Sequence, residues 1–275
     1  MKGSTVEKAI LFRFPRERRA ALLLAFFLAL WGAAAYLILP SLWRRYEGAG
    51  ATGGAALASR TAFGVPGDPI NVAFAGSQDD IDCAFRAAGW NEAIKITWRS
   101  SLKIVESVIL DRPDPDAPVS PLYYDGRPED LAFEKAAGRS PDKRHHIRLW
   151  RTNSPVQSAD VIWAAAATFD MGVGLSRYTF EVTHHINGNV DAERAYVVDQ
   201  LRKIGAVQDE YLAAGSGPTL DGRNGGGDRY YTDGQIAVVT LANVCGTAAH
   251  AAPAPAPQRA QERRDAVWRA LRPAR

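Results

Sequence analysis

From Ala20 to Leu39 the chain carries no charged residue, and its apolar positions follow no one-sided period. At about 1.5 Å per helical residue this run reaches about 30 Å, the thickness of a bilayer's hydrocarbon core. A transmembrane anchor is expected over 20–39, because a core helix would keep a polar face. A cleaved signal peptide also opens with basic residues and an apolar stretch. Here Tyr36-Leu37-Ile38-Leu39 continues past Ala33-Ala34-Ala35, where cleavage would be sought, which favours an uncleaved anchor.

Beyond the anchor the pattern changes twice. Residues 46–66 are rich in Gly, Ala, Ser and Thr without apolar period, so a flexible linker is expected there. Residues 67–246 then show the periods of a folded domain. Ile70 to Ala75 reads as a buried strand, and Ser77 to Ala88 as a helix with Ile81, Ala84, Phe85 and Ala88 on one face and Ser77 as its cap. A helix is expected from Ser101 to Leu110, then an extended surface segment spaced by Pro113, Pro115, Pro118 and Pro121. Three strands follow, Arg144 to Arg151, Val161 to Phe169 and Arg177 to Ile186, with Asp170-Met171-Gly172-Val173-Gly174 as the turn between the last two. Asp191 to Ile204 reads as a helix capped by Asn189, residues 213–228 as a glycine-rich loop, and Tyr230 to Leu241 as a hairpin or bent strand around Asp233-Gly234. The fold class is α/β (α+β): a mixed, largely antiparallel sheet with packed helices, preceded by one transmembrane helix. A proline- and alanine-rich basic tail over 247–275 is expected to be solvated.

Charge changes this picture only when it is divided along the chain. The 275 residues sum to +3, but residues 1–65 hold 9 Lys+Arg against 3 Asp+Glu, residues 66–246 hold 18 against 25, and residues 247–275 hold 6 against 2. The body is acidic and only the ends are basic. A phosphate backbone would repel such a body, so no nucleic acid is expected as a partner. Lys2, Lys8, Arg13, Arg16, Arg18 and Arg19 precede the apolar run and Arg44 and Arg45 follow it, so residues 1–19 are expected to stay cytoplasmic while the domain crosses. The two cysteines, Cys83 and Cys245, make no zinc pattern. They would pair on an oxidising side of the membrane or remain two separate buried thiols.

The candidate chemistry centres on His145-His146 and His184-His185, each pair within an expected strand. Alternation puts His145 with Ile147 and Leu149 on a buried face and His146 outside with Arg144 and Arg148. It puts His184 with Val182 and Ile186 inside and His185 outside with Glu181 and Thr183. Ala164 to Ala167 between them would form a shallow floor, so His146, Arg148, Glu181 and His185 would frame an anion or metal pocket. Asp170, Asp191 and Glu193 could add oxygen ligands; Asp191 and Glu193 read equally well as acids in a helical first turn. No H-E-x-x-H, C-x-x-C or G-x-S-x-G pattern marks a catalyst. The sequence specifies no cofactor; a divalent metal is one that such a donor set could hold. Arg99-Ser100-Ser101, before an expected helix, is a further anion-binding candidate or a simple cap.

Several strings resemble the LssY C-terminal domain family: Gly67-Asp68-Pro69-Ile70-Asn71, Trp98-Arg99-Ser100-Ser101-Leu102, Pro118-Val119-Ser120-Pro121-Leu122-Tyr123 and Arg144-His145-His146-Ile147-Arg148-Leu149-Trp150. Ala167-Thr168-Phe169-Asp170-Met171-Gly172-Val173-Gly174, Thr183-His184-His185-Ile186, Asp191-Ala192-Glu193-Arg194 and Tyr231-Thr232-Asp233-Gly234 belong to the same set. The likeness covers about Gly67 to Leu241. It implies work at an envelope membrane, on lipids or their phosphates, because the family's domain is often joined to modules resembling lipid phosphatases or DedA-type proteins. It implies no catalytic mechanism, and a phosphatase-like membrane module is not found in this sequence. The expected function is a binding or accessory module at the membrane surface, with membrane lipid or an integral membrane protein as partner. The alternative is a metal-dependent hydrolase of a phosphorylated lipid.

Overall fold

The computed structural model describes residues 16–42, 57–93, 121–138, 143–152, 161–180, 182–213 and 219–246. Arg99, Ser100 and Ser101, the helix expected from Ser101 and the 247–275 tail lie outside them. The charge-free run is helical: α1 (Arg16–Ala33) passes through a π-helical turn, Ala34–Ile38, and on to Leu42. These 27 residues are long and apolar enough to cross a membrane.

The domain is built on one eight-stranded sheet. Its strands are β3 (Val72–Ala75), β4 (Asn91–Glu92), β7 (Leu131–Ala136), β8 (Arg144–Arg151), β9 (Ile162–Leu175), β10 (Val182–Ile186), β11 (Val207–Ala213) and β14 (Ile236–Leu241). The order is β11-β14-β3-β9-β8-β7-β4, with β10 added to the far half of β9, and only β14 and β3 run parallel. Between them in sequence lie α2 (Gln78–Ala87) and α3 (Val190–Lys203). Ser77 caps α2 in a reciprocal box with Asp80, and the Asn189 side chain caps α3 by accepting from Ala192 N.

Strand alternation feeds two cores, because both faces of this sheet are covered. Phe74, Ile147, Leu149, Trp163, Ala165 and Ala167 face the helices, where Phe85 stacks on Phe133. Ala73, Trp150, Ile162, Ala164 and Ala166 face a smaller four-stranded sheet of β1 (Ala58–Arg60), β2 (Pro66–Pro69), β5 (Tyr123–Tyr124) and β6 (Arg127–Pro128). A disulfide joins Cys83 of α2 to Cys245 just beyond β14. Asn71 repairs the break between β2 and β3. Its side chain accepts from Ala167 N and donates to the carbonyls of Ala167 and Val190, holding β9 and the start of α3 at once.

Four expectations need correction. The folded part begins at β1, inside the expected linker, where Ser59 is fully buried and donates to the Asp68 carbonyl. Asp170 to Gly174 is no turn but the continuation of the 14-residue β9; the reversal comes at Ser176 to Phe180. The glycine-rich stretch contains β12 (Thr219–Arg223), paired with β13 (Arg229–Thr232), so residues 230–241 are not one hairpin. The four alanines alternate between two filled cores and form no open floor.

Candidate functional site

Three long polar side chains of β8 share one face by simple alternation: Arg144, His146 and Arg148. Their ladder partners on β9 are Asp170, Thr168 and Ala166, and Glu134 of β7 stands opposite His146. All three β8 residues are at most 5% exposed. This corrects the expectation of an outward polar face. Alternation reports which face a side chain takes, while a second layer decides whether that face sees water.

Burying two arginines demands anionic partners, and each has them. Arg144 Nε donates to Asp170 at 3.1 Å, Nη1 to Glu134 at 2.8 Å and Nη2 to His184 Nε2 at 3.0 Å. Arg148 Nη1 donates to Glu129 at 3.0 Å, and Glu129 also accepts from Leu122 N. Asp68 of β2 closes the cluster from the small sheet, within the fields of Arg148, Glu129 and Asp228. Burial drives the acid–base behaviour. It pushes Asp170 up to about 7 against the pull of Arg144, and raises Asp68 against Arg148. Burial, reinforced by Arg144, takes His184 down to about 4. Burial, Arg148 and Arg144 hold His146 well below its ordinary value. Its Nε2 is buried and has no hydrogen-bond partner.

The histidines therefore divide differently from the sequence expectation. His146 meets His184, not His185, in the cluster. His185 turns to the 224–228 loop, where its Nδ1 pairs with Asp228 at 2.8 Å while the other Asp228 oxygen takes Ile186 N. Its ring lies against Gly174, where any Cβ would collide with it. His145 sits on the helical side of the sheet. It pairs with Glu193 at 2.9 Å and stacks on Tyr196 with centroids 3.7 Å apart. Burial raises Glu193 against that pairing.

Asp191 is remote in role as well. It accepts from Thr232 Oγ1, Asp233 N and Arg194, and Arg194 grips Asp233 with both terminal nitrogens, so this set fastens α3 to the turn before β14. The expected His146, His185, Asp170, Asp191 and Glu193 set is thus spread over separate networks. Among the described residues no group of three or more His, Cys, Asp or Glu could hold a metal ion. Sequence reasoning passed over Asp68, Glu129, Glu134 and Asp228 as partners of this cluster. Asp68 lay inside a string already noted, Gly67-Asp68-Pro69, whereas the others carry no local pattern.

A sheet with helices on one face, a small sheet on the other and a buried ionic network between the two sheets defines a disulfide-closed α+β domain. The chain belongs to the LssY_C family: the model described as the LssY C-terminus matches residues 50–236. No curated protein and no solved structure matches it.

Proposed function

We propose that this chain is a single-pass membrane protein whose LssY_C domain works outside the cytoplasm as a binding or accessory module at the bilayer surface. The observation that carries the reading is the docking of the apolar helix on the domain. Trp31 Nε1 donates to the Thr179 carbonyl at 2.5 Å, Tyr36 and Phe63 rings lie 4.4 Å apart, and Ala35 and Pro40 are buried. A helix apolar on its remaining surface and fixed to the domain at one end holds that domain against lipid. The Cys83–Cys245 disulfide supports an oxidising compartment, and the basic residues before the helix support a cytoplasmic N-terminus.

Membrane lipid is the partner, and the cluster around His146, Arg144 and Arg148 is where its polar group is held. His146 Nε2 is buried in this cluster without a hydrogen-bond partner, so an entering group would satisfy it. An anionic group would gain from both arginines most when Asp170 keeps its proton. Alkaline carbonate extraction and protease digestion of intact cells test the anchor. The chain should stay in the membrane pellet and be cut from outside, and a soluble species lacking its first forty-odd residues overturns the reading. For the site, the full chain purified in detergent should retain less phosphatidylglycerol on His146→Phe, and unchanged retention removes the assignment.

A further inference from the structure

Beyond Asp170, β9 leaves the body of the sheet. Its ladder with β3 ends at Ala165 and its ladder with β8 ends at Asp170, so Met171 to Leu175 pair with β10 alone. The result is a two-stranded ribbon that leaves the sheet and is backed on one side by the 224–228 loop, where Gly226 O accepts from Arg177 N and Asp228 pairs with His185. Along it Met171, Val173 and Leu175 alternate outward, and Phe180 follows at the reversal; these four are 45 to 68% exposed. Single exposed apolar residues are ordinary, but an apolar row along the open face of a ribbon is not. Phe180 adds a second signal, since its φ of 58° is a left-handed conformation that a bulky side chain adopts only against a cost. The sequence places an aromatic ring at a position where the backbone would favour glycine.

What covers this row follows from where the ribbon ends. Its reversal touches Trp31, and Trp31 lies eight residues before Leu39, where the charge-free run stops. Those eight residues set Trp31 about 12 Å below the end of the run. The five ribbon residues from Met171 to Leu175 reach about 17 Å. The ribbon is thus long enough to descend beside the helix from the bilayer surface to the level of Trp31, within one leaflet of about 15 Å. Phe63, exposed and packed on Tyr36, continues the apolar surface one helical turn nearer the domain.

We infer that the β9–β10 hairpin is a membrane-inserting finger: Met171, Val173, Leu175 and Phe180 enter the acyl chains of the outer leaflet beside the helix. Two attachments fix the domain's tilt, where a helix alone would leave it free to swing. Asp170 and Ile186 pair at its base, so the finger brings the Arg144 cluster near the headgroups.

This inference rests on the anchored reading, and one experiment separates the two. The full chain, with its two native cysteines oxidised, receives one added cysteine at a time, as Leu175→Cys, Phe180→Cys, Leu28→Cys in the helix or Glu92→Cys on β4. Each is labelled with a polarity-sensitive fluorophore and reconstituted into phosphatidylcholine–phosphatidylglycerol vesicles containing doxyl lipids. The expected result is quenching at Leu175 and Phe180 at least about twofold above Glu92 by a shallow doxyl group, with Leu28 also quenched. Quenching at Leu28 without quenching at Leu175 and Phe180 overturns the finger and leaves the anchor standing. So does protection of those two sites that rises with protein concentration, the mark of a second copy on the patch. Loss of quenching at Leu28 overturns the anchor as well.

Discussion

Arg144 donates to His184 Nε2 at 3.0 Å, and a guanidinium has no acceptor, so the His184 ring keeps its proton on Nδ1 and stays neutral in the fold. Three networks meet at this arginine: β7 through Glu134, β9 through Asp170 and β10 through His184. It is the joint at the finger's base.

The two titrating neighbours of Arg144 act in opposite directions. His184 falls to about 4, so its contribution is present above about 6.5 and is lost as pH drops toward 4. Asp170 rises to about 7, so its contribution is present below about 4 and is lost as pH climbs through 7. Asp170→Asn removes only the second. The stability gap between wild type and this variant should widen by about 3 kcal/mol from pH 7.5 to pH 5. Denaturant melts at the two pH values check this, and a constant gap contradicts it.

The disulfide closes a loop with a separation of 162 residues. Reduction, or paired Cys83→Ser and Cys245→Ser substitution, should cost about 4 kcal/mol through restored freedom of the unfolded chain. Melts with and without reductant measure the loss. In intact cells, thiol alkylation should leave both cysteines unlabelled before reduction and label both after it.

Asn71 offers three bonds to buried backbone groups, so Asn71→Leu strands Ala167 N–H and two carbonyls. The expected cost is about 3 kcal/mol, with no change of charge. A loss below about 1 kcal/mol in the unfolding free energy would mean that β9 and α3 do not depend on this bridge.

Phe180→Gly relieves a left-handed backbone, so the domain itself should gain about 1 kcal/mol. The same change removes the most exposed ring of the finger. A gain in detergent melts alongside weaker doxyl quenching at Leu175 would separate the residue's local cost from its use at the membrane.

Much of the scaffold could be read from local pattern. Ser77 and Asn189 cap the helices as their side chains suggest, and Arg144 to Arg151 is a strand to the residue. The apolar helix and the family strings were equally legible. What escaped depends on contacts between distant segments. No periodicity in β8 announces the small sheet that covers Arg144, His146 and Arg148. Asp170 to Gly174 has the composition of a turn, yet β10 pairs along it, with the register slipping between His185 and Ile186. That pairing is why His184, rather than His185, joins His146. The partners of the arginines, Glu129 between β6 and β7 and Glu134 of β7, come from segments whose sequence alone has no reason to be noticed.

One arrangement bears on how the protein is made. The last long strand, β14, is not an edge; it slots between β11 and β3, and it is the sole parallel neighbour β3 has. Synthesis must therefore reach Leu241 before the central layer can seal, and early segments wait with a gap beside Val72 to Ala75. A polypeptide with this wiring suits export as an open thread, threading first and knitting itself shut on arrival.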